Sequence, residues 1–159
     1  MKDTLMVYYS FEGNTGFVAS ELLKHMDMDV ERIKVQHEPP KKGLAKFLHG
    51  GKSALRHEDP GLIPLQANVN DYYDIVIAFP VWAGTWPPAV EAFLRSYPFT
   101  RKNVFLIACS ASGNASKALD KLTERLEGNM VLGTLSLKNP LKNKDEVAEQ
   151  IRDFAARRH

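Results

Sequence analysis

Short apolar runs alternate with amphipathic segments along most of the chain. Nearly unbroken apolar runs over 4–10, 72–82, 103–110 and 130–137 predict strands, and residues 28–35 predict a weaker strand. Unbroken runs of this kind are typical of strands that other elements cover on both faces. The pattern therefore predicts five strands in the interior of the protein.

Apolar residues at helical spacing follow these strands. They predict helices over 14–26 and 143–157, a helix that begins at Pro87, and another with apolar residues on one face between 118 and 126. Strands that alternate with helices are typical of a parallel sheet with helices on both faces. The pattern therefore predicts the α/β class.

Residues 38–70 are the least regular part of the chain. A helix over 43–56 is predicted there, although two adjacent glycines weaken it. The basic segment, residues 38–60, carries four lysines and an arginine, and it forms either a solvated face or a surface that covers a ligand or binds a partner. A length of 159 residues predicts one domain over residues 1–159.

Composition excludes several classes of function. Hydrophobic residues make up 44% of the chain and charged residues 25%, and the net charge of +2 is too small to indicate nucleic-acid binding. No apolar run reaches the roughly 20 residues that span a bilayer. Cys109 is the only cysteine, which excludes an internal disulfide and a cysteine-rich metal site. We predict a cytoplasmic protein with no membrane, nucleic-acid or metal partner.

The carboxyl ends of the strands are where such a sheet binds ligands. The first strand ends in SFEGNT, which places Ser10, Glu12, Gly13, Asn14 and Thr15 before a helix. A helix N-terminus exposes unpaired N–H groups, hydroxyls add donors, and glycine lets the backbone bend towards a ligand. The segment predicts a phosphate site, and its alternative is an ordinary helix cap.

SFEGNT resembles the phosphate loop of flavodoxin-like proteins. The resemblance implies a three-layer, doubly wound α/β fold with a five-stranded parallel sheet of order 2-1-3-4-5, and FMN bound at the strand ends. It carries Ser10, Asn14 and Thr15 over as phosphate contacts. Glu12 departs from the family pattern, because a carboxylate near a phosphate costs roughly 4 kcal/mol at 4 Å. The Glu12 side chain therefore points to solvent, caps a backbone N–H or lowers the affinity, and we keep only its backbone N–H in the site.

A second loop, FPVWAGTWPPA, holds both tryptophans of the chain. Aromatic side chains stack well on a flat flavin ring, and Gly84 lets the backbone approach the ring edge. Trp82 is predicted to stack and Trp86 to pack, and the alternative is that Trp82 belongs to the core and Trp86 is a helix staple. The loop resembles the second flavin loop of the same family, and its predicted site residues are Pro80, Val81, Trp82, Ala83, Gly84 and Thr85.

A third loop, CSASGNASKAL, repeats the small polar pattern of the first. Its N–H and hydroxyl groups are predicted to face the pyrimidine edge of the flavin, and helix capping by Ser112 or Asn114 is the alternative. The predicted site residues are Ser110, Ala111, Ser112, Gly113 and Asn114.

Three functions remain open at this point. The first is an FMN-dependent oxidoreductase whose redox partner is NAD(P)H, a quinone or a protein, with no side chain required as a catalytic acid or base. The second is an electron carrier, although carriers of this type are strongly acidic and this chain is not. The third is an FMN-free binding module. A homodimer is also left open.

Overall fold

The computed structural model describes residues 2–39 and 59–158. The predicted helix over 43–56 and most of the basic segment lie outside these ranges. The described part contains five strands and four α-helices in this order: β1 (Thr4–Tyr8), α1 (Asn14–Leu22), β2 (Asp29–Arg32), β3 (Asp74–Pro80), α2 (Pro88–Ser96), β4 (Asn103–Ser110), α3 (Ser116–Arg125), β5 (Met130–Lys138) and α4 (Lys144–Arg157).

The five strands form one parallel sheet in the order β2-β1-β3-β4-β5. This confirms both the α/β class and the order 2-1-3-4-5. The strand order reverses direction between β1 and β3, so the loops that follow these two strands lie at the switch point where α/β sheets bind ligands. The predicted phosphate loop and the tryptophan loop are these two loops.

Two predicted elements extend too far. The strand over 28–35 ends at Arg32, because Val35 leaves β1 and forms an antiparallel bridge with Leu62. The helix over 14–26 ends at Leu22, because the N–H groups of Lys24 and His25 bond only three residues back, to the carbonyls of Glu21 and Leu22, in a tighter turn. Met26 is still buried, which is why the apolar pattern continues past the helix.

Each face of the sheet carries a separate apolar cluster. Helices α2 and α3 cover one face with side chains such as Val90, Phe93 and Leu122. Helices α1 and α4 cover the other face, through Val18 and Ile151 among others. Because α1 and α4 share a face, the chain must cross the carboxyl end of the sheet on its way from β5 to α4. Among the described residues, no helix has the length and apolar character needed to cross a membrane.

Candidate functional site

The loop between β1 and α1 forms a row of unused backbone donors. Gly13 has a φ of 102°, and the helix begins directly after it at Asn14. Within residues 2–39 and 59–158, the N–H groups of residues 12 to 15 donate to no acceptor. Consecutive N–H groups around a left-handed residue at a helix N-terminus form an anion-binding nest. The first loop can therefore hold a phosphate without a cationic side chain.

The two hydroxyl groups of this loop are held in place by neighbours. Ser10 Oγ accepts a hydrogen bond of 3.0 Å from the Gly16 N–H, so the hydroxyl hydrogen remains available to a ligand. Thr15 is buried, and its hydroxyl donates to the Cys109 Sγ at 3.8 Å. Ser10 therefore offers a donor as the structure stands, whereas the Thr15 hydroxyl must turn away from sulfur to do so.

A pocket of about 120 Å³ lies between the strand ends. Ligand pockets that enclose a drug-sized molecule have about 300–1,000 Å³, so this one suits a phosphate group and the atoms next to it. Residues from all three predicted loops and from a fourth segment line it: Phe11, Glu12, Asn14, Thr15, Pro80, Val81, Trp82, Cys109, Ser110, Ala111, Asn139 and Pro140.

Glu12 lines this pocket and is exposed to solvent. An exposed charge is screened by water and salt, so its repulsion of a phosphate falls well below the buried limit, to about 1 kcal/mol or less. The backbone N–H of the same residue belongs to the nest. That the Glu12 backbone belongs to the site and its side chain does not stays a prediction.

Replacing Glu12 with threonine is expected to leave FMN affinity unchanged or raise it by up to about fivefold, because the change removes a weakly repulsive charge and restores a hydroxyl. Isothermal titration at low and high salt measures the effect. Glu12→Gln is the matched control, since it removes the charge and keeps the size. A tenfold loss of affinity in both variants would show that the carboxylate supports the loop.

The second loop is a tight two-residue turn. Trp82 and Thr85 exchange both backbone hydrogen bonds, at 2.9 and 3.0 Å, and the residues between them have positive φ angles of 51° for Ala83 and 76° for Gly84. Two positive φ angles define a type I′ turn. Gly84 is exposed, and among the described residues other than its two chain neighbours no atom lies within 4 Å of where its Cβ would be, so its backbone is open to a ligand on this side.

The two tryptophans are both buried, but only Trp82 reaches the pocket. The Trp82 ring meets the rings of Tyr9 and Phe11 edge to face, with centroids 5.7 and 5.5 Å apart. The Trp86 Nε1–H donates to Glu91 at 3.0 Å. The predicted difference in role agrees with these positions. Stacking of Trp82 on a ligand stays a prediction, because only 4% of the residue is exposed.

The third loop uses most of its polar groups internally. Ser110 Oγ accepts from the Gly113 N–H at 3.0 Å, and Ser112 Oγ accepts from the Asn114 N–H at 3.1 Å. Asn114 Oδ1 in turn accepts from the Ser116 N–H at 3.2 Å. Of the five predicted residues here, Ser110 and Ala111 line the pocket. Local capping therefore accounts for most of the loop's polar sequence.

Four residues of the pocket were not predicted from the sequence. Cys109 forms part of its wall, and burial raises the pKa of this thiol to about 12, although the Thr15 hydroxyl opposes the shift. A thiol with so high a pKa is not a nucleophile at neutral pH. Phe11 follows Ser10 directly, whereas Asn139 and Pro140 come from the segment between β5 and α4.

Charged groups lie beside the pocket, at the ends of β1 and β2. The Tyr9 hydroxyl donates to Glu38 at 2.5 Å, and burial together with this bond raises the pKa of Tyr9 above its usual value. Arg32 donates to the Ser10 carbonyl oxygen at 3.2 Å. These contacts brace the first residue of the phosphate loop. Within the described ranges, histidine, cysteine and acidic side chains form no cluster that could hold a metal ion.

A donor nest beside an aromatic-lined pocket, at the switch point of a 2-1-3-4-5 sheet, defines a flavodoxin-type α/β protein. The chain belongs to the flavodoxin family, whose model, described as Flavodoxin, matches residues 3–154. A comparison with curated proteins found no match.

Solved structures share the fold at low sequence identity. A flavoprotein from Lactobacillus acidophilus NCFM in complex with FMN has a TM-score of 0.68 and 21% identity, covering 91% of this chain and 98% of that chain. A protein from Bacteroides eggerthii DSM 20697, provisionally named a flavoprotein, has a TM-score of 0.77 and 18% identity, and the match covers 97% of this chain and 98% of that chain. An apo NADH:FMN oxidoreductase has a TM-score of 0.56 and 18% identity, and the match covers 98% of this chain and 88% of that chain.

Proposed function

We propose that this chain is an FMN-binding flavoprotein of electron transfer, acting as an oxidoreductase with a nicotinamide or quinone partner. The observation that carries the proposal is the row of unused N–H groups at residues 12 to 15, which lies at a pocket that Phe11 and Trp82 also line. The FMN complex of the Lactobacillus flavoprotein and the NADH:FMN oxidoreductase, both with this fold, support it.

The residues present fit a phosphate ester. The N-terminus of α1 carries a partial positive charge, and the first turn of the helix contains no acidic residue. Ser10 supplies a hydroxyl hydrogen, and the buried Thr85 hydroxyl has no hydrogen-bond partner among the described residues. When bound, FMN supplies the electron and hydride chemistry, and the chain's groups bind and orient it.

The size of the pocket bears on how a partner gains access. A space of about 120 Å³ holds the phosphate end of FMN but not the whole cofactor. The flavin ring would then lie outside this space, where the exposed backbone of Gly84 is available to hold its edge. A ring held outside the pocket would be accessible to a flat nicotinamide or quinone. The net charge of +2 also favours a small-molecule partner over the electrostatic steering on which acidic carriers rely.

Affinity for three flavins tests the cofactor. We expect the protein to purify with FMN or to take it up, and to bind riboflavin and FAD at least about tenfold more weakly, because riboflavin lacks the phosphate and FAD carries a second one that the small pocket does not hold. Titration of the apoprotein with each flavin, monitored through the quenching of tryptophan fluorescence, gives the three dissociation constants. Equal affinity for riboflavin and FMN would overturn the phosphate assignment.

Reduction without air then separates an enzyme from a carrier. An oxidoreductase loaded with FMN is bleached by NADH or NADPH and reoxidised by a quinone in repeated turnovers. A carrier is bleached only when a reductase protein is added. If bleaching requires the reductase, the protein is an electron carrier and not an oxidoreductase, and the assignment of FMN as its cofactor still holds.

A further inference from the structure

A fourth loop, residues 139–141, joins two of the predicted loops across the end of the sheet. The Asn139 N–H donates to the Ser110 carbonyl at 3.0 Å, and the Leu141 N–H donates to Asn14 Oδ1 at 2.9 Å. Pro140 between them is buried and lines the pocket. The fourth loop therefore reaches from the third loop to the first.

The fourth loop has a conformation of its own. Asn139 has a φ of 37°, and its carbonyl accepts from the Lys142 N–H at 2.9 Å and from the Asn143 N–H at 3.1 Å. The Asn143 side chain also donates to the Lys138 carbonyl at 3.0 Å. These bonds do not involve Asn14, so the turn presents the Leu141 N–H as a fixed donor.

That donor determines how the Asn14 amide is oriented. A backbone N–H can only donate, so the side-chain atom that faces it must be the oxygen. A flipped amide would set its NH₂ group against the Leu141 N–H, with two donors opposed. Asn14 lines the pocket, and its NH₂ group is the end that Leu141 leaves available there.

We propose that the Leu141 N–H is a positioning group for the phosphate site, because it holds Asn14 with its NH₂ group as a donor to the phosphate. The inference rests on the proposed function, since it assigns a role in binding the phosphate of FMN. It adds a part of the chain that follows the last strand to a site otherwise built from the first three loops. Asn14 and Leu141 lie 127 positions apart in sequence.

A backbone ester at position 141 tests the proposal directly. Incorporating the α-hydroxy acid analogue of leucine replaces the N–H with oxygen and keeps the side chain. We expect FMN to bind about tenfold more weakly, whereas riboflavin affinity stays within about twofold, because only the phosphate loses a donor. The ratio of the two affinities is the decisive quantity, since a general loss of folded protein lowers both equally.

Leu141→Ala is the matched control, because it shortens the side chain and keeps the N–H. It is expected to preserve the parental ratio of affinities. A parental ratio in the ester variant would overturn the positioning role, as would an equal weakening of both flavins. If the parent chain itself does not prefer FMN over riboflavin, the proposed function fails first.

The hydrogen bond itself can be tested without a flavin. In the apoprotein, Asn14→Ala is expected to speed hydrogen exchange at the Leu141 amide by about tenfold, as seen by NMR, because the amide loses its acceptor. Unchanged exchange at this amide would also count against the proposal.

Discussion

Replacing Trp82 with alanine is expected to lower the free energy of unfolding of the apoprotein by about 3–5 kcal/mol, the range for a fully buried aromatic side chain. It is also expected to weaken FMN binding by roughly 1–3 kcal/mol, because the ring lines the pocket between Tyr9 and Phe11. Urea denaturation measures the first effect. Flavin titration, followed by flavin fluorescence, measures the second.

Trp86→Ala is the matched control, because Trp86 is equally buried but does not line the pocket. It should cost a similar free energy of unfolding, and the folded variant should bind FMN as the parent does. FMN should quench the fluorescence of Trp82 more than that of Trp86. If Trp82→Ala leaves affinity and quenching unchanged, Trp82 belongs to the core alone and Phe11 becomes the aromatic contact of the ring.

Replacing Gly13 with alanine is expected to disrupt the phosphate nest. A side chain at a φ of 102° is strained by roughly 1–2 kcal/mol, and its Cβ would lie only 3.3 Å from Leu141 Cδ1. The backbone relieves this strain by turning, and the N–H groups of residues 12 to 15 then no longer converge. We expect FMN affinity to fall at least about tenfold, with riboflavin affected much less.

Gly16→Ala provides the opposite case in the same segment. Gly16 lies inside α1 with an ordinary φ, and its Cβ would make a normal contact of 3.5 Å with Ser10 Oγ. Alanine favours a helix over glycine by about 1 kcal/mol, so the variant is expected to be more stable and to bind FMN normally. Thermal unfolding with and without FMN checks both variants. If the Gly13→Ala variant is stable and binds FMN with parental affinity, the N–H groups of the nest do not hold the phosphate.

The fold could be predicted from the sequence because its strands are buried on both faces. Residues 103–110 read as a continuous apolar run and form β4 with the same bounds. Where a strand is short and half exposed, as β2 is, the apolar pattern fixes its end poorly. The antiparallel bridge between Val35 and Leu62, which no local pattern indicates, sets that boundary through hydrogen bonds made by the neighbouring residues.

The candidate site was predictable only where local sequence has a direct structural meaning. Gly13 before a polar helix start indicates the nest, because few residues adopt its backbone conformation. The fourth loop gives no such signal, since Asn139 and Pro140 read as an ordinary turn. They reach the pocket because α4 returns to the face that α1 covers, which is a property of the whole sheet. The burial of Trp82 likewise depends on Tyr9 and Phe11, which the apolar pattern alone does not place beside it.

From the sheet order we expect the chain to fold as two units, one with β1 and β2 and one with β3 to β5. Strand β1 pairs with β2 over a separation of about 24 residues and β3 pairs with β4 over about 29, whereas β1 pairs with β3 over about 70. Forming the β1–β3 pair costs roughly 0.8 kcal/mol more in chain entropy than forming the β3–β4 pair, because it closes a longer loop. The β1–β3 pair, which we call the seam, is therefore expected to form last.

The pocket lies across this seam. The first loop belongs to the unit that contains β1 and β2, whereas the second, third and fourth loops belong to the unit that contains β3 to β5. A ligand that contacts loops of both units therefore stabilises their contact with each other. Flavin binding is therefore expected to stabilise the late step of folding more than the early ones, and the apoprotein is expected to open first between β1 and β3.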